Sequence, residues 1–336
     1  MTKKRILTGD RPTGKLHLGH FVGSLSNRVK LQDEYEVFLI VADLHTLTTK
    51  PDKEYTTKLK ENVYSQVLDY LAVGIDPQKS TIYIQSQIPE VGELAVIFGM
   101  LTTVPRLERV PTLKDVMKDA HLTIPSFGLL GYPVLQAADI LMVRANLVPV
   151  GKDQLSHIEV TREVARDFNH TYEAVFPEPE SLVGEVPTLP GTDGKAKMSK
   201  SAGNVINLSD SSEEVEKKVM SMYTDPTRIH PTDPGHVEGN PVFVYLDAFG
   251  SDSDHEQITK YKELYRTGQV GDIEVKKYLV KILNNFLDPI RKRRFEYEKN
   301  PELVEKILKA GTKKARSEAQ KTLEEVKKAM KINYFG

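Results

Sequence analysis

Residues 9–20 read GDRPTGKLHLGH, a glycine- and proline-rich stretch with two histidines three residues apart. A short apolar run, Arg5-Ile6-Leu7, comes before it, and Phe21-Val22-Gly23-Ser24-Leu25, with apolar residues at helical spacing, comes after. The stretch therefore reads as the junction where a strand passes into a helix. Further along, EVFLIVA at 36–42 and TIYIQ at 81–85 have the composition of buried strands. Between them Leu59, Val63, Val67 and Leu71 recur every four residues and mark an amphipathic helix. Alternation of this kind predicts an α/β fold, a Rossmann-like parallel sheet with helices on both faces. Ligands of such sheets bind beyond the carboxyl ends of the strands, where residues 9–20 would lie.

After about residue 205 the strand signals fade, and Val215, Val219 and Met222, then Tyr278, Ile282 and Phe286, repeat at helical spacing. The expected division is an α/β unit over 1–204, with a helical insertion over roughly 90–130, and an all-helical domain over 205–336. The chain of 336 residues is 39% hydrophobic and 28% charged and contains no cysteine, which excludes disulfides and thiolate metal sites. No apolar run approaches the roughly 18 residues that would span a bilayer, and MTKKRILTGD carries no secretory core, so no membrane attachment and a cytoplasmic location are expected.

The net charge of -1 hides an asymmetry: residues 291–336 hold 14 Lys and Arg against 7 Asp and Glu, a net +7, and leave 1–290 at -8. The run RKRR at 291–294 suits either a phosphate backbone or an ordinary solvated helix face.

The first turn of a helix offers free N–H groups to anions, Gly14 and Gly19 open the backbone to a ligand, and His17 and His20 add imidazole donors. A zinc site is not indicated, because no Glu stands beside the first histidine and no Cys is present. The loop PTLPGTDGKAKMSKSAGN at 187–204 carries KMSKS at 197–201, two lysines able to close over a polyphosphate.

HLGH and KMSKS together resemble the two signatures of the class I aminoacyl-tRNA synthetases. YPVLQAADILM at 132–142 and LVPVGKDQLSHIEVTREVARDFN at 147–169 are similar to the tryptophanyl-tRNA synthetase pattern. GTDGKAKMSKS at 191–201, SMYTDP at 221–226 and EGNPVF at 238–243 resemble a divergent bacterial branch, sometimes called type II. The sequence departs from the commoner bacterial pattern at Asp10, Arg11, His20 and Gln136, where an apolar residue, glutamine, asparagine and methionine are usual.

The resemblance implies that tryptophan and ATP give tryptophanyl-adenylate and pyrophosphate, and that the aminoacyl group then passes to tRNA(Trp). His17, His20, Lys197 and Lys200 would stabilise the reacting phosphates. Arg11, Thr13, Gly14, Gly19, Gly151, Asp153, Met198 and Ser199 would complete the ATP site. Asp139 would accept the indole N–H, with Leu7, Gly9, Val148 and Val150 on the ring and His45 lining the same cavity. Tyr132, Gln136 and Gln154 would face the ammonium and carboxylate. The resemblance further implies Mg2+ carried by the nucleotide, no metal held by protein ligands, a homodimer, and anticodon recognition in the helical half. Tyrosyl-tRNA synthetases share the fold, and nucleotidylyltransferases share an HxGH phosphate cradle; both stand as alternatives.

Overall fold

A computed structural model describes residues 3–335 other than 120, 121, 152, 153, 184–187, 196 and 201. Five strands among them, β1 (Arg5–Asp10), β2 (Glu36–Val41), β3 (Ser80–Ile84), β4 (Leu147–Val150) and β5 (Glu180–Val183), make one sheet in the order β3-β2-β1-β4-β5. All four pairings are parallel. The chain order reverses beside β1, so the crevice beyond β1 and β4 is the switch point at which doubly wound sheets bind ligands. The strands expected at 36–42 and 81–85 are β2 and β3. β4 and β5 lack a comparable signal because each has only four residues. β5 is also polar and half exposed.

After β1, α1 (Leu18–His20) continues through a π-turn at Phe21–Leu25 into α2 (Ser26–Glu34). After β2 come α3 (Asp43–Leu47) and α4 (Lys53–Val73), the helix that the fourfold apolar spacing indicated. The Asp52 side chain starts α4 by accepting the Tyr55 N–H. The 90–130 segment holds α5 (Glu90–Leu101), α6 (Val104–Glu108), α7 (Pro111–Asp119) and α8 (Phe127–Leu130). α9 (Tyr132–Met142) and α10 (Leu155–Thr171) flank β4. Beyond residue 205 the described elements are helical, chiefly α11 (Ser212–Met220), α12 (Pro241–Phe249), α13 (His255–Arg266), α14 (Asp272–Glu298) and α15 (Pro301–Ala329). No helix among the described residues is long and apolar enough to cross a membrane.

The helical half is fused to the sheet through shared cores. One buried cluster joins Leu16, Leu39 and Val67 to Val215, Phe243 and Leu283; a second joins Phe38 and Ile140 to Ala315, Leu323 and Val326. α15 lies against β3 so closely that a Cβ on Gly311 would sit 1.9 Å from the Ile82 carbonyl oxygen.

The RKRR run is in part turned inward, which the sequence did not show. Arg294 is 8% exposed, pairs with the fully buried Asp69 and donates to the Ser65 carbonyl at 3.1 Å. Arg293 donates to the Ala72 carbonyl at 2.6 Å and Arg291 to the Asp210 carbonyl at 2.9 Å. Three of the four side chains thus clasp α14 to the rest of the protein, and Lys292 and Arg293 are exposed.

Candidate active site

β1 ends at Asp10, and the chain turns at Gly14, whose φ of +104° is readily reached only by glycine. The turn is held from three sides. Tyr55 donates its hydroxyl to the Pro12 carbonyl at 2.9 Å. Asp69 accepts the Leu16 N–H at 2.8 Å. The segment after KMSKS runs antiparallel to it, the Leu18 N–H going to the Ile206 carbonyl at 2.9 Å and the Leu208 N–H to the Leu16 carbonyl at 2.9 Å. One of the helix-start donors expected to serve an anion is therefore used internally.

Behind the turn, Arg28 pairs with Asp10 and also donates to the Gly9 carbonyl at 3.2 Å, while Tyr70 donates to Asp10 at 2.7 Å. Burial pushes the Asp10 carboxyl up, but Arg28 and Tyr70 overcome it and hold it at about 2. Two of the four departures from the common pattern thus differ in their bonding. Asp10, half-buried, is tied to Arg28 and Tyr70, while Arg11 is exposed; both border the cavity described below.

The rings of His17 and His20 touch, with centroids 3.8 Å apart and planes tilted by 51°. Burial, the neighbouring histidine and Lys200 lower His17 to about 3. Burial also lowers His20, to about 4, with Asp10 pulling the other way. Both are neutral at pH 7. The His17 N–H donates to His20 Nδ1 at 3.2 Å, which fixes the His20 tautomer with its proton on Nε2. His17 Nδ1 is buried and faces the start of α1 at Gly19 and His20. Gly19 serves the imidazole first: a Cβ there would lie 2.9 Å from His17 Nδ1 and 3.3 Å from Met198 Sδ.

The KMSKS loop reaches this turn. Met198 is 7% exposed and its N–H donates to the Leu189 carbonyl at 3.2 Å; Asn204 accepts the Ser199 N–H at 2.8 Å, and Tyr245 donates to the Pro190 carbonyl at 2.7 Å. Lys200 Nζ donates to Thr13 Oγ1 at 3.2 Å. Burial lowers the Lys200 amine to about 8, with Asp69 and Asp10 opposing. Lys197 is exposed and its backbone bridges to Pro190.

Beside this assembly, at the switch point, lies a cavity of about 690 Å³. Leu7, Gly9, His45, Tyr132, Gln136, Asp139, Val148, Val150 and Gln154, the residues expected around the amino acid, all line it, together with Arg11 and Gly151 from the ATP set. Thr13, Gly14, His17, Gly19, His20, Met198, Ser199 and Lys200 gather around the turn next to it. Asp153 lies outside the described residues.

Asp139, 2% exposed, is held by both neighbours of its strand-end niche. Gln85 Nε2 donates to its two oxygens at 3.0 and 2.8 Å, and His45 Nε2 stands 2.8 Å from Oδ2. The Gln85 amide cannot be reversed, because its Oε1 accepts the Leu44 and His45 N–H groups at 3.1 and 3.3 Å. Burial pushes the Asp139 carboxyl up, and His45 and Gln85 pull it back. A carboxylate has about four lone-pair positions, so Oδ1, engaged only by Gln85 in these contacts, retains one for a donor in the cavity. Gln85, Thr112 and His157 were not singled out in the sequence. Gln85's position at the carboxyl end of a strand is the one signal that pointed to it.

The family model for class I tRNA synthetases (W and Y) matches residues 2–288. A tryptophan–tRNA ligase of Treponema pallidum is 56% identical over 329 residues, 98% of this chain and 97% of that one. That of Streptococcus mutans is 53% identical over 343 aligned positions covering both chains fully. The crystal structure of tryptophanyl-tRNA synthetase from Campylobacter jejuni complexed with ADP and tryptophan superposes with a TM-score of 0.86 at 36% identity, over 97% of this chain and 99% of that one.

Proposed function

The chain belongs to the class I tRNA synthetases for tryptophan and tyrosine, and we infer from it and from the cavity that this protein is the tryptophan–tRNA ligase, joining tryptophan to tRNA(Trp) at the expense of ATP. The observation that carries the choice of amino acid is Asp139, a buried carboxylate with one lone pair left for an indole N–H among Ile140, Val148 and Leu7. A substrate without that donor leaves the carboxylate unpaired, which is how a polar site rejects phenylalanine by about 10⁴–10⁵.

Adenylate formation is an in-line attack of the amino-acid carboxylate on the α-phosphorus. It asks the protein for position and charge rather than a nucleophile. Arg11, exposed at the cavity rim, would meet the phosphate, His20 would offer Nε2–H as a neutral donor, and Lys200 and Lys197 would meet the departing pyrophosphate. Thr13, His20 and Lys200 offer donors and a cation, which suit phosphate oxygens and not a metal ion; Mg2+ would arrive on the nucleotide.

Helices α11–α15 would hold the tRNA anticodon stem, with the enzyme working in the cytoplasm. A homodimer is supported by the exposed apolar side chains of the 96–127 region: Val96, Met100, Ile124 and Phe127 are 61%, 72%, 81% and 91% exposed. The test of the function is ATP–pyrophosphate exchange with each aromatic amino acid in turn. Tryptophan alone should support exchange; exchange with tyrosine at equal efficiency would reject the assignment.

A further inference from the structure

The segment SMYTDP at 221–226 has no part in the reaction so far. It leaves the end of α11, where the last carbonyls of a helix have no partner within it. Lys276 of α14, 5% exposed, reaches in to this end. Its Nζ donates to the Met222 carbonyl at 2.6 Å, to Thr224 Oγ1 at 2.9 Å and to the Met220 carbonyl at 3.4 Å. Asp225, also buried, accepts the Thr227 and His236 N–H groups at 2.9 and 2.7 Å. The residues on both sides of Tyr223 are thereby fixed.

Tyr223 itself meets the KMSKS loop. Its N–H donates to the Thr192 carbonyl at 2.8 Å. Its ring covers Gly194 so closely that a Cβ there would lie 2.9 Å from Tyr223 Cγ. Gly194 turns with φ +70°, and its N–H closes the turn on the Gly191 carbonyl at 3.0 Å. From this turn a run of hydrogen bonds leads into KMSKS. Asn204 Nδ2 donates to Asp193 Oδ1 at 3.0 Å, and Asn204 Oδ1 accepts the Ser199 N–H at 2.8 Å. The next residue is Lys200, whose Nζ meets Thr13. One hydrogen bond and one ring face at the tip of a loop are enough to shift its population about tenfold.

We propose that Tyr223 is a latch: it seats the tip of the KMSKS loop and, as a positioning residue, keeps Lys200 at the Thr13 turn. Lys276 braces the latch from α14, so the helical half and the KMSKS loop are joined at this point. The effect on the reaction rests on the tryptophan–tRNA ligase reading; the seating of the loop does not.

The experiment uses the full-length enzyme with Tyr223→Ala, Tyr223→Phe and Gly194→Ala, the last disturbing the same contact from the loop side. One readout is tryptic cleavage after Lys195 and Lys197, both exposed; the other is tryptophan-dependent ATP–pyrophosphate exchange. Tyr223→Ala and Gly194→Ala should each speed cleavage by about tenfold, as loss of local protection does. Each should also lower the exchange kcat by about tenfold, as a displaced charge does, with the tryptophan KM within about twofold. Tyr223→Phe keeps the ring and the backbone bond and should match the unsubstituted enzyme in both. In a Lys200→Ala background, Tyr223→Ala should cost less than about a further twofold in kcat, because Tyr223 acts through Lys200. A full further loss in that background, or equal changes in kcat and tryptophan KM, would mean a general structural role and overturn the proposal. Unchanged cleavage or unchanged kcat in both the Tyr223→Ala and Gly194→Ala enzymes would overturn it as well. Absence of tryptophan-dependent exchange in the unsubstituted enzyme would instead reject the tryptophan–tRNA ligase reading, while the cleavage rates still decide whether Tyr223 seats the loop.

Discussion

Two basic clusters, the KMSKS lysines and the RKRR run of α14, look alike as sequence and differ in what answers their charge. Among the described residues Lys200 Nζ is hydrogen-bonded to the Thr13 hydroxyl, and the carboxylates that act on its charge, Asp69 and Asp10, are already occupied by Arg294 and Arg28. Its amine is held at about 8, still mostly charged at pH 7 and available to a phosphate. Arg294 in contrast has a buried carboxylate of its own, and Arg293 and Arg291 end on backbone carbonyls. A charge with a matched buried partner holds the fold together; a charge without one is kept for a ligand. Asp69 joins the clusters, since its second oxygen fixes the Leu16 N–H beside His17.

The comparison is broken most decisively at Arg294. Arg294→Met should lower the unfolding free energy by about 3–5 kcal/mol, the usual cost of stranding one member of a buried pair, read by urea denaturation. Unchanged stability with lost aminoacylation would move Arg294 into the tRNA footprint. Lys200→Ala should leave stability alone and lower kcat for adenylate formation by about 10²-fold to 10³-fold, more than it weakens ground-state ATP binding. Equal losses in binding and rate would reduce Lys200 to an ATP anchor.

pH sharpens the same contrast. A lysine lowered to about 8 loses its charge as pH rises through that value, so kcat/KM for ATP should fall by about fivefold between pH 8 and 9. Lys200→Arg should remove the fall. His17 and His20, lowered to about 3 and 4, stay neutral across that range and should contribute no limb above pH 5. The smallest effect is expected at Lys292, which is exposed and has no role in clasping α14. Lys292→Glu should change aminoacylation less than about threefold and leave stability intact, and a change of about one in the slope of log affinity against log salt would identify a phosphate contact.

The sheet was legible because β2 and β3 are continuous apolar runs and α4 repeats every four residues. The site was legible through its two signatures and the AADI segment, whose nine expected cavity residues come together around one space. What escaped had little local signal: Gln85 had only its place at a strand end, and His157 only its place within the 147–169 segment. β4 and β5 are too short to show a period. Gln85, Thr112 and His157 matter through hydrogen bonds across 54, 20 and 25 residues, which no spacing rule reports. The inward turn of Arg294 depends on Asp69, 225 residues away.

The central claim is that Asp139 selects tryptophan by accepting its indole N–H. ATP–pyrophosphate exchange by Asp139→Asn, with tryptophan and phenylalanine as competing substrates, tests it most directly. The tryptophan KM should rise by at least about 10²-fold while the ATP KM stays within about twofold, and most of the preference over phenylalanine should vanish. An Asp139→Asn enzyme that keeps both its tryptophan KM and its preference would contradict the account.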